Sequence, residues 1–212
     1  IFGSSGHGSD VADIAFDNGY TGIVFLTKEA DLDSYCGFPV IMDTAENVTE
    51  LDFTGYHFAI GIGDSKVRRL IFDRYPNLYY PMLIHTTSTI GNFRAANISA
   101  SKGTILAAGS RITNNVTVGD FCFFGVNSIL GHDCIIEDYV SLMPGAAVSG
   151  NVKIGNGAYI GSNACIRQGT PDKKVFIGVN AIIGMGAVIL TDVPENHIAL
   201  GVPASYRPRL TN

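Results

Sequence analysis

From Leu106 to Ile166, every sixth residue is apolar: Leu106, Ile112, Val118, Phe124, Leu130, Ile136, Leu142, Val148, Ile154, Ile160 and Ile166. Two residues ahead of these positions lies a second small or branched side chain, among them Ser110, Val116, Cys122, Ser128, Cys134 and Val140. Glycine often follows directly, as at Gly119, Gly125, Gly131, Gly155 and Gly161. A period of six fits neither the 3.6-residue helical turn nor the two-residue alternation of an ordinary strand. It is the hexapeptide pattern of a parallel β-helix, in which each hexad supplies one short strand and one corner. Three hexads make a triangular coil of 18 residues, with the apolar side chain inward and glycine easing the chain round the corner. Stacking then aligns Leu106, Phe124, Leu142 and Ile160 in one column and Ile112, Leu130, Val148 and Ile166 in another, with coils about 4.8 Å apart. The period breaks once. The frame resumes eleven residues after Ile166, at Ile177, Ile183 and Ile189, so "RQGTPDKKV" carries five extra residues. A corner can extrude such a loop without loss of core, and loops of this kind line binding faces.

Residues 1–85 follow another grammar. "IFGSSGHGSDVADIAFDNGY" reads as the end of a strand, a glycine turn and a short helix whose Val11, Ile14 and Ala15 share a face, with Gly19 as its stop. Opening in mid-strand at Ile1 predicts a few residues ahead of it, and no signal-peptide pattern is visible. "GIVFLT" and "HFAIGIG" are further strands. "DSKVRRLIFDRY" is a helix capped by Asp64, with Val67, Leu70 and Ile71 as its apolar stripe, and "LYYPMLI" closes the segment as a strand. Strand–helix–strand order predicts a small parallel sheet of the Rossmann kind. The expected architecture is thus α/β followed by all-β: a Rossmann-like domain over 1–85 and a β-helix over 86–212.

Composition sets outer limits. The net charge is −5 with scattered basic residues, which argues against a nucleic-acid surface but leaves room for small anionic ligands. No stretch approaches the ~20 apolar residues of a membrane span. Cys36, Cys122, Cys134 and Cys165 form no CxxC pair, and read as buried free thiols of a cytoplasmic protein. His7, His57, His85, His132 and His197 are dispersed, with one in the regular hexads, so no three-histidine zinc site is expected.

The hexads run into "DVPENHIALGVPAS", whose Val193, Pro194, Asn196, Gly201, Pro203 and Ala204 resemble the V-P-x-N…G-x-P-A tail of hexapeptide acyltransferases. Together with "GSSGHG" near the start and "GHDC" within the hexads, this resembles the bacterial sugar O- and N-acetyltransferases. The bacillosamine-pathway nucleotide-amino-sugar N-acetyltransferases come nearest, and the sialic-acid O-acetyltransferases next. The resemblance implies a left-handed coil, acetyl-CoA as co-substrate, no metal, and a homotrimer with active sites between subunits. It further implies N-acetylation of an amino-deoxysugar carried on a nucleotide, UDP in the nearest relatives, for surface glycans. Sugar O-acetylation is the alternative within the family, and a non-catalytic nucleotide-sugar-binding scaffold the alternative outside it.

His132 sits two residues beyond inward Leu130, at a phase that points away from the core, and the residue stacked one coil above is Gly150. A bare glycine beside an imidazole leaves a slot for an acyl group and presents a main-chain N–H to an oxyanion. An ordinary imidazole titrates near neutrality and can take a proton from an attacking amine or hydroxyl. The resemblance independently casts His132 as base. Asp133 would fix its tautomer, provided the chain turns between the two residues, because neighbours on a strand face opposite ways. Close relatives often carry glutamate there, and a solvated corner dipeptide is the plain alternative. The resemblance assigns Ser5, Gly6 and His7 to the nucleotide-sugar, while a tight turn alone would explain the glycines. Gly63 and Asp64 fall at the same sheet edge, Asp64 doubling as a helix cap. Thr27 and Lys28 stand where relatives often have acidic residues, a departure that bears on uracil recognition. Ser141, Ser162 and Asn180 occupy positions that line the CoA groove in relatives, Ser141 in place of a second histidine. Lys173, Lys174, Arg207 and Arg209 are candidates for CoA phosphates, or merely solvated charges.

Overall fold

The computed structural model describes residues 1–29, 32–92, 98 and 101–209. The N-terminal part holds α1 (Gly6–Asp17), β1 (Phe25–Thr27), β2 (Ser34–Tyr35), β3 (Phe38–Met42), α2 (Ala45–Phe53) and α3 (Ser65–Arg74). Phe2 bridges in parallel to both Leu26 and Ile60, and β1 pairs in parallel with β3. β2 folds back antiparallel on β3, so the sheet is mixed rather than wholly parallel. The β2–β3 hairpin turns at Cys36 and Gly37, both at positive φ. β3 and α2 were not anticipated from the sequence.

Three parallel walls follow, forming a left-handed β-helix. β4 (Leu83–Ile84) starts the first wall and β5 (Thr89–Ile90) the second, and short strands continue to β19 (Val188–Ile189). β20 (His197–Gly201) and β21 (Ala204–Pro208) close the first wall as an antiparallel hairpin. Leu106, Phe124, Leu142, Ile160 and Ile183 pair successively in the first wall; Ile112, Leu130, Val148, Ile166 and Ile189 do so in the second. Ile154 pairs with Ile177 across the five-residue insertion, so the extra loop leaves the columns in register. These inward side chains are almost wholly buried, each contributing about 1.5–3 kcal/mol of transfer free energy. "LYYPMLI" was expected to close the N-terminal domain. Instead Leu83–Ile84 pairs with Ile105–Leu106, so the barrel begins before residue 86.

The glycines and the corners divide the work differently from expectation. The left-handed conformation falls three residues after the inward position, at Asn115, Phe121, Asn127, Asp133, Tyr139, Gly145, Asn151, Gly157 and Asn163. The glycine that directly follows an inward residue answers a different need, close approach of the next coil. A Cβ on Gly131 would stand 2.5 Å from the Gly150 nitrogen.

Two corners carry aromatics where asparagine or glycine would suit the backbone: Phe121 and Tyr139, at φ 53° and 59°. Left-handed backbone costs a bulky residue of order 1–3 kcal/mol. The cost is offset by docking. The two rings stack with centroids 5.4 Å apart and join Phe2, Leu26, Phe58, Ile60 and Tyr80 in one buried cluster. On the sheet's other face, Val11, Ile14 and Phe25 pack with outward Ile105 and Phe123 of the first wall. The barrel's first wall thereby completes the core of the N-terminal domain.

α3 corrects the expected stripe. Leu70 is 66% exposed, whereas Arg68 is 2% exposed. Its Nε donates to Phe121 O (3.1 Å), Nη1 to Ile62 O (3.0 Å) and Gly63 O (2.8 Å), and Nη2 to Tyr139 O (2.8 Å) and Ser141 Oγ (2.9 Å). Burial pushes the guanidinium down to about 10, still well above neutrality, so the cation is held almost entirely by main-chain carbonyls of both parts. Cysteine placement is also mixed: Cys122 and Cys134 are buried, while Cys36 and Cys165 are exposed.

Candidate active site

His132 stands at the corner between the second and third walls, between Ile129–Leu130 and Ile135–Ile136. The turn needed to bring its neighbour round is the one every hexad makes. Asp133 lies at φ 60°, and its Oδ2 meets His132 Nδ1 at 2.7 Å. With the carboxylate on Nδ1, that nitrogen is the donor and Nε2 keeps its lone pair. Asn115, one coil below, donates to Asp133 Oδ1, so both carboxylate oxygens are engaged. The Asn115 hydrogen bond first, and the His132 contact second, hold the Asp133 carboxyl below its usual range. The insertion emerges at this corner and folds back, placing the Lys174 ammonium on the Asp133 carbonyl. Lys174 is thus committed to the turn, and Lys173 is exposed.

Gly150 lies directly over the imidazole. A Cβ added there would sit 2.6 Å from His132 Nε2. Among the described residues its N–H has no hydrogen-bond partner. A main-chain amide without a partner and an imidazole therefore lie against one another at one corner, the two kinds of group that a carbonyl gaining negative charge beside an attacking nucleophile requires. Gly150→Ala should keep the fold, because the backbone there is not left-handed, yet displace the ring from Asp133. The expected result is a fall in kcat of roughly 10²-fold or more at nearly unchanged melting temperature, read by steady-state kinetics and thermal denaturation.

The other candidates gather elsewhere. Ser5 precedes α1 without capping it, Ser5 and Gly6 are exposed, and His7 packs on Phe123 of the first wall with ring centroids 5.1 Å apart. Glycine is required in this loop on packing grounds too, since a Cβ on Gly8 would lie 2.2 Å from Gly3 O. Thr27 ends β1, its hydroxyl donating to Glu29 O at 2.7 Å. Asp64 caps α3, Oδ1 accepting from Lys66 N (2.8 Å) and Val67 N (3.2 Å). His7, Gly63 and Asp64 line a cleft of about 330 Å³ whose far side is Tyr159 and Ile182 of the first wall, with Asn180 at its edge. The cleft lies outside the carboxyl ends of the parallel strands, where open α/β sheets bind ligands. Ser141 does not line a groove: it is buried, its hydroxyl taken by Arg68 and by Gly63 O at 3.4 Å. Ser162 is half-buried at the corner between first and second walls, and Arg207 is exposed on β21. The corner of His132 is the one opposite the first wall, so one chain does not bring imidazole and cleft together.

Arg68, Asn115 and the Phe121–Tyr139 pair escaped sequence reasoning. The corner series had a visible signal, since phenylalanine and tyrosine interrupt a run of asparagine, aspartate and glycine at every sixth residue.

Residues 1–75 match the PglD N-terminal domain, and residues 133–168 match the bacterial transferase hexapeptide repeat. In carrying both matches the chain is similar to the hexapeptide-repeat sugar acetyltransferases. It is 34% identical to GDP-perosamine N-acetyltransferase of Escherichia coli O157:H7 over 127 residues, 57% of this chain and 54% of that enzyme. The match thus spans about half the length of that relative. The acetyltransferase domain of PglB from Neisseria gonorrhoeae FA1090, solved with acetyl coenzyme A, superposes with TM-score 0.85 at 29% identity, covering 96% of each chain. A perosamine N-acetyltransferase variant from Caulobacter crescentus, solved with CoA and GDP-perosamine, shares the fold at TM-score 0.86 and 24% identity, covering 98% of this chain and 95% of that one. Among the described residues no helix is long and apolar enough to cross a membrane.

Proposed function

We propose that this protein transfers an acetyl group from acetyl-CoA to the amine of a nucleotide-linked amino-deoxysugar, with His132 as general base. The observation that carries the reading is the His132–Asp133 pair set beneath Gly150 at one corner. Asp133 holds Nδ1, leaving Nε2 to take a proton from the amine as its nitrogen bonds to the thioester carbonyl carbon. The Gly150 N–H faces the charge that grows on the carbonyl oxygen. The carbon–sulfur bond then breaks, CoA leaves as thiolate, and the proton on Nε2 returns to the sulfur. No covalent enzyme intermediate is needed.

The separation of the His132 corner from the cleft supports assembly as a homotrimer, in which the imidazole of one copy meets the cleft edge of its neighbour. The second wall favours such packing. Its outward row starts beside the His132 corner at Ile129, 48% exposed, and runs through Ala147 and Cys165 to Val188. A closed ring of three satisfies each copy equally.

The likeness to a GDP-perosamine enzyme favours guanine over the uracil implied by the bacillosamine-type resemblance. The decisive assay supplies acetyl-CoA with GDP- and UDP-linked amino-deoxysugars and with their hydroxyl counterparts. Turnover of the amines, with the GDP form preferred, is expected. Turnover confined to the hydroxy sugars would replace the reading by O-transfer, and no turnover with any of them would leave a binding scaffold.

A further inference from the structure

We infer that Lys174, at the end of the insertion, is a positioning residue for the transfer reaction, holding the Asp133–His132 pair in place from two coils above. The inference rests on His132 as general base and names what keeps that base oriented. Ile135 pairs with Lys153 and Val152 with Val175, so Asp133, Asn151 and Lys174 share one column. Residues 169–173 leave that column and the lysine rejoins it. The loop is fixed at both ends. Gly169 N donates to Gly150 O (3.0 Å) and Val175 N to Asn151 O (3.1 Å), while Thr170 and Lys173 exchange main-chain hydrogen bonds at 2.9 and 3.2 Å. A Cβ on Gly169 would lie 2.3 Å from Asn151 O, so glycine alone lets the loop close this tightly. From this base the half-buried Lys174 side chain reaches down, and its ammonium donates to the Asp133 carbonyl. Asp133 is the left-handed residue whose turn brings its carboxylate to Nδ1. A clamp on its carbonyl therefore acts on the imidazole through the turn. Among the described residues the ammonium has no carboxylate partner, so its charge is not cancelled by direct pairing. It opposes a positive charge on the imidazole and favours the ionised carboxylate. Asn115 and His132 do most to hold the Asp133 carboxyl low, and Lys174 adds to them. The other groups at this corner do not compete. Asn115 below and Gly150 above are uncharged, and burial pushes the Cys134 thiol up to about 11. Arg167 turns to Leu190 O at 3.2 Å, and Asp172 and Lys173 are exposed on the loop.

The test is the pH dependence of kcat and KM for wild type, Lys174→Met and Lys174→Arg, with nitrogen NMR of the His132 ring in the full chain. Lys174→Met is expected to lower kcat roughly tenfold with KM values held within about twofold. The acid limb of its profile should move up by about half a pH unit, because the imidazole loses a neighbouring cation. The ring, held with its proton on Nδ1 in wild type, should become a mixture of tautomers. Lys174→Arg keeps both donor and charge and should restore rate, profile and tautomer. A kcat that falls equally at every pH, with the tautomer unchanged, marks a purely structural role and overturns the inference. Kinetics and spectra that match wild type overturn it too. In both cases wild-type turnover leaves the transfer reading standing. A wild type that acetylates no nucleotide amino sugar removes that reading, and the part of Lys174 in it.

Discussion

His132→Ala is expected to lower kcat for acetyl transfer by roughly 10²- to 10⁴-fold while leaving the fold and nucleotide affinity intact. The side chain is 51% exposed and belongs to none of the buried clusters, so its removal takes little from the core. What is lost, on the proposed reading, is the proton acceptor of this corner, since the Asp133 oxygens are committed to Asn115 and to Nδ1. The Asp133 carboxyl is held below its usual range, so it stays ionised throughout the neutral region and keeps the imidazole oriented there. Steady-state kinetics with calorimetry separates the terms: kcat should collapse and nucleoside-diphosphate affinity should stay level. An alanine variant with undiminished turnover would remove His132 from the chemistry.

Arg68→Met is expected to destabilise the protein by roughly 2–4 kcal/mol. The substitution keeps the aliphatic stem but strands four carbonyls and a serine hydroxyl in a site Arg68 fills at 2% exposure. Relief from burying an unpaired cation offsets part of that loss, which holds the figure below the sum of five hydrogen bonds. The carbonyls belong to Ile62 and Gly63 on one side and Phe121 and Tyr139 on the other, so the effect should be local to the docking of the two parts. Denaturant unfolding would show a lower midpoint, and Arg68→Lys, able to reach only some of the acceptors, should fall between. A midpoint unchanged in Arg68→Met would contradict this account of the interface.

The barrel was legible because its physics is one-dimensional. A fixed period places each inward residue over the one a coil below, and the five-residue insertion could be counted before it was seen. The His132–Gly150 stack followed from the same arithmetic. The N-terminal sheet was less legible, since β2 and β3 are short and pair through a hairpin whose positive-φ turn uses Cys36 before Gly37. Docking was hardest to read because it depends on outward residues. Ile105 and Phe123 precede inward residues in "IL" and "FF", but Ile129–Leu130 of the second wall reads the same way and leaves Ile129 exposed, so the doubling alone does not tell a covered wall from an open one. Arg68 was hidden by its charge, although Arg68, Ile71, Phe72 and Tyr75 make an ordinary helical stripe once a guanidinium stem counts as apolar. Ser141 was assigned by likeness to relatives, and Arg68 claims it here.

The central claim is that the imidazole corner of one copy serves the cleft of another. Co-expressing His132→Ala with His7→Ala chains under separate tags, isolating the mixed oligomer and assaying it at sub-saturating nucleotide-sugar tests this directly. Sites that draw an intact imidazole and an intact cleft from different chains should restore about a third of wild-type activity in an isolated mixed ring of three, where one contact in three joins the two intact parts. Mixed oligomers no more active than the two parent variants would contradict it.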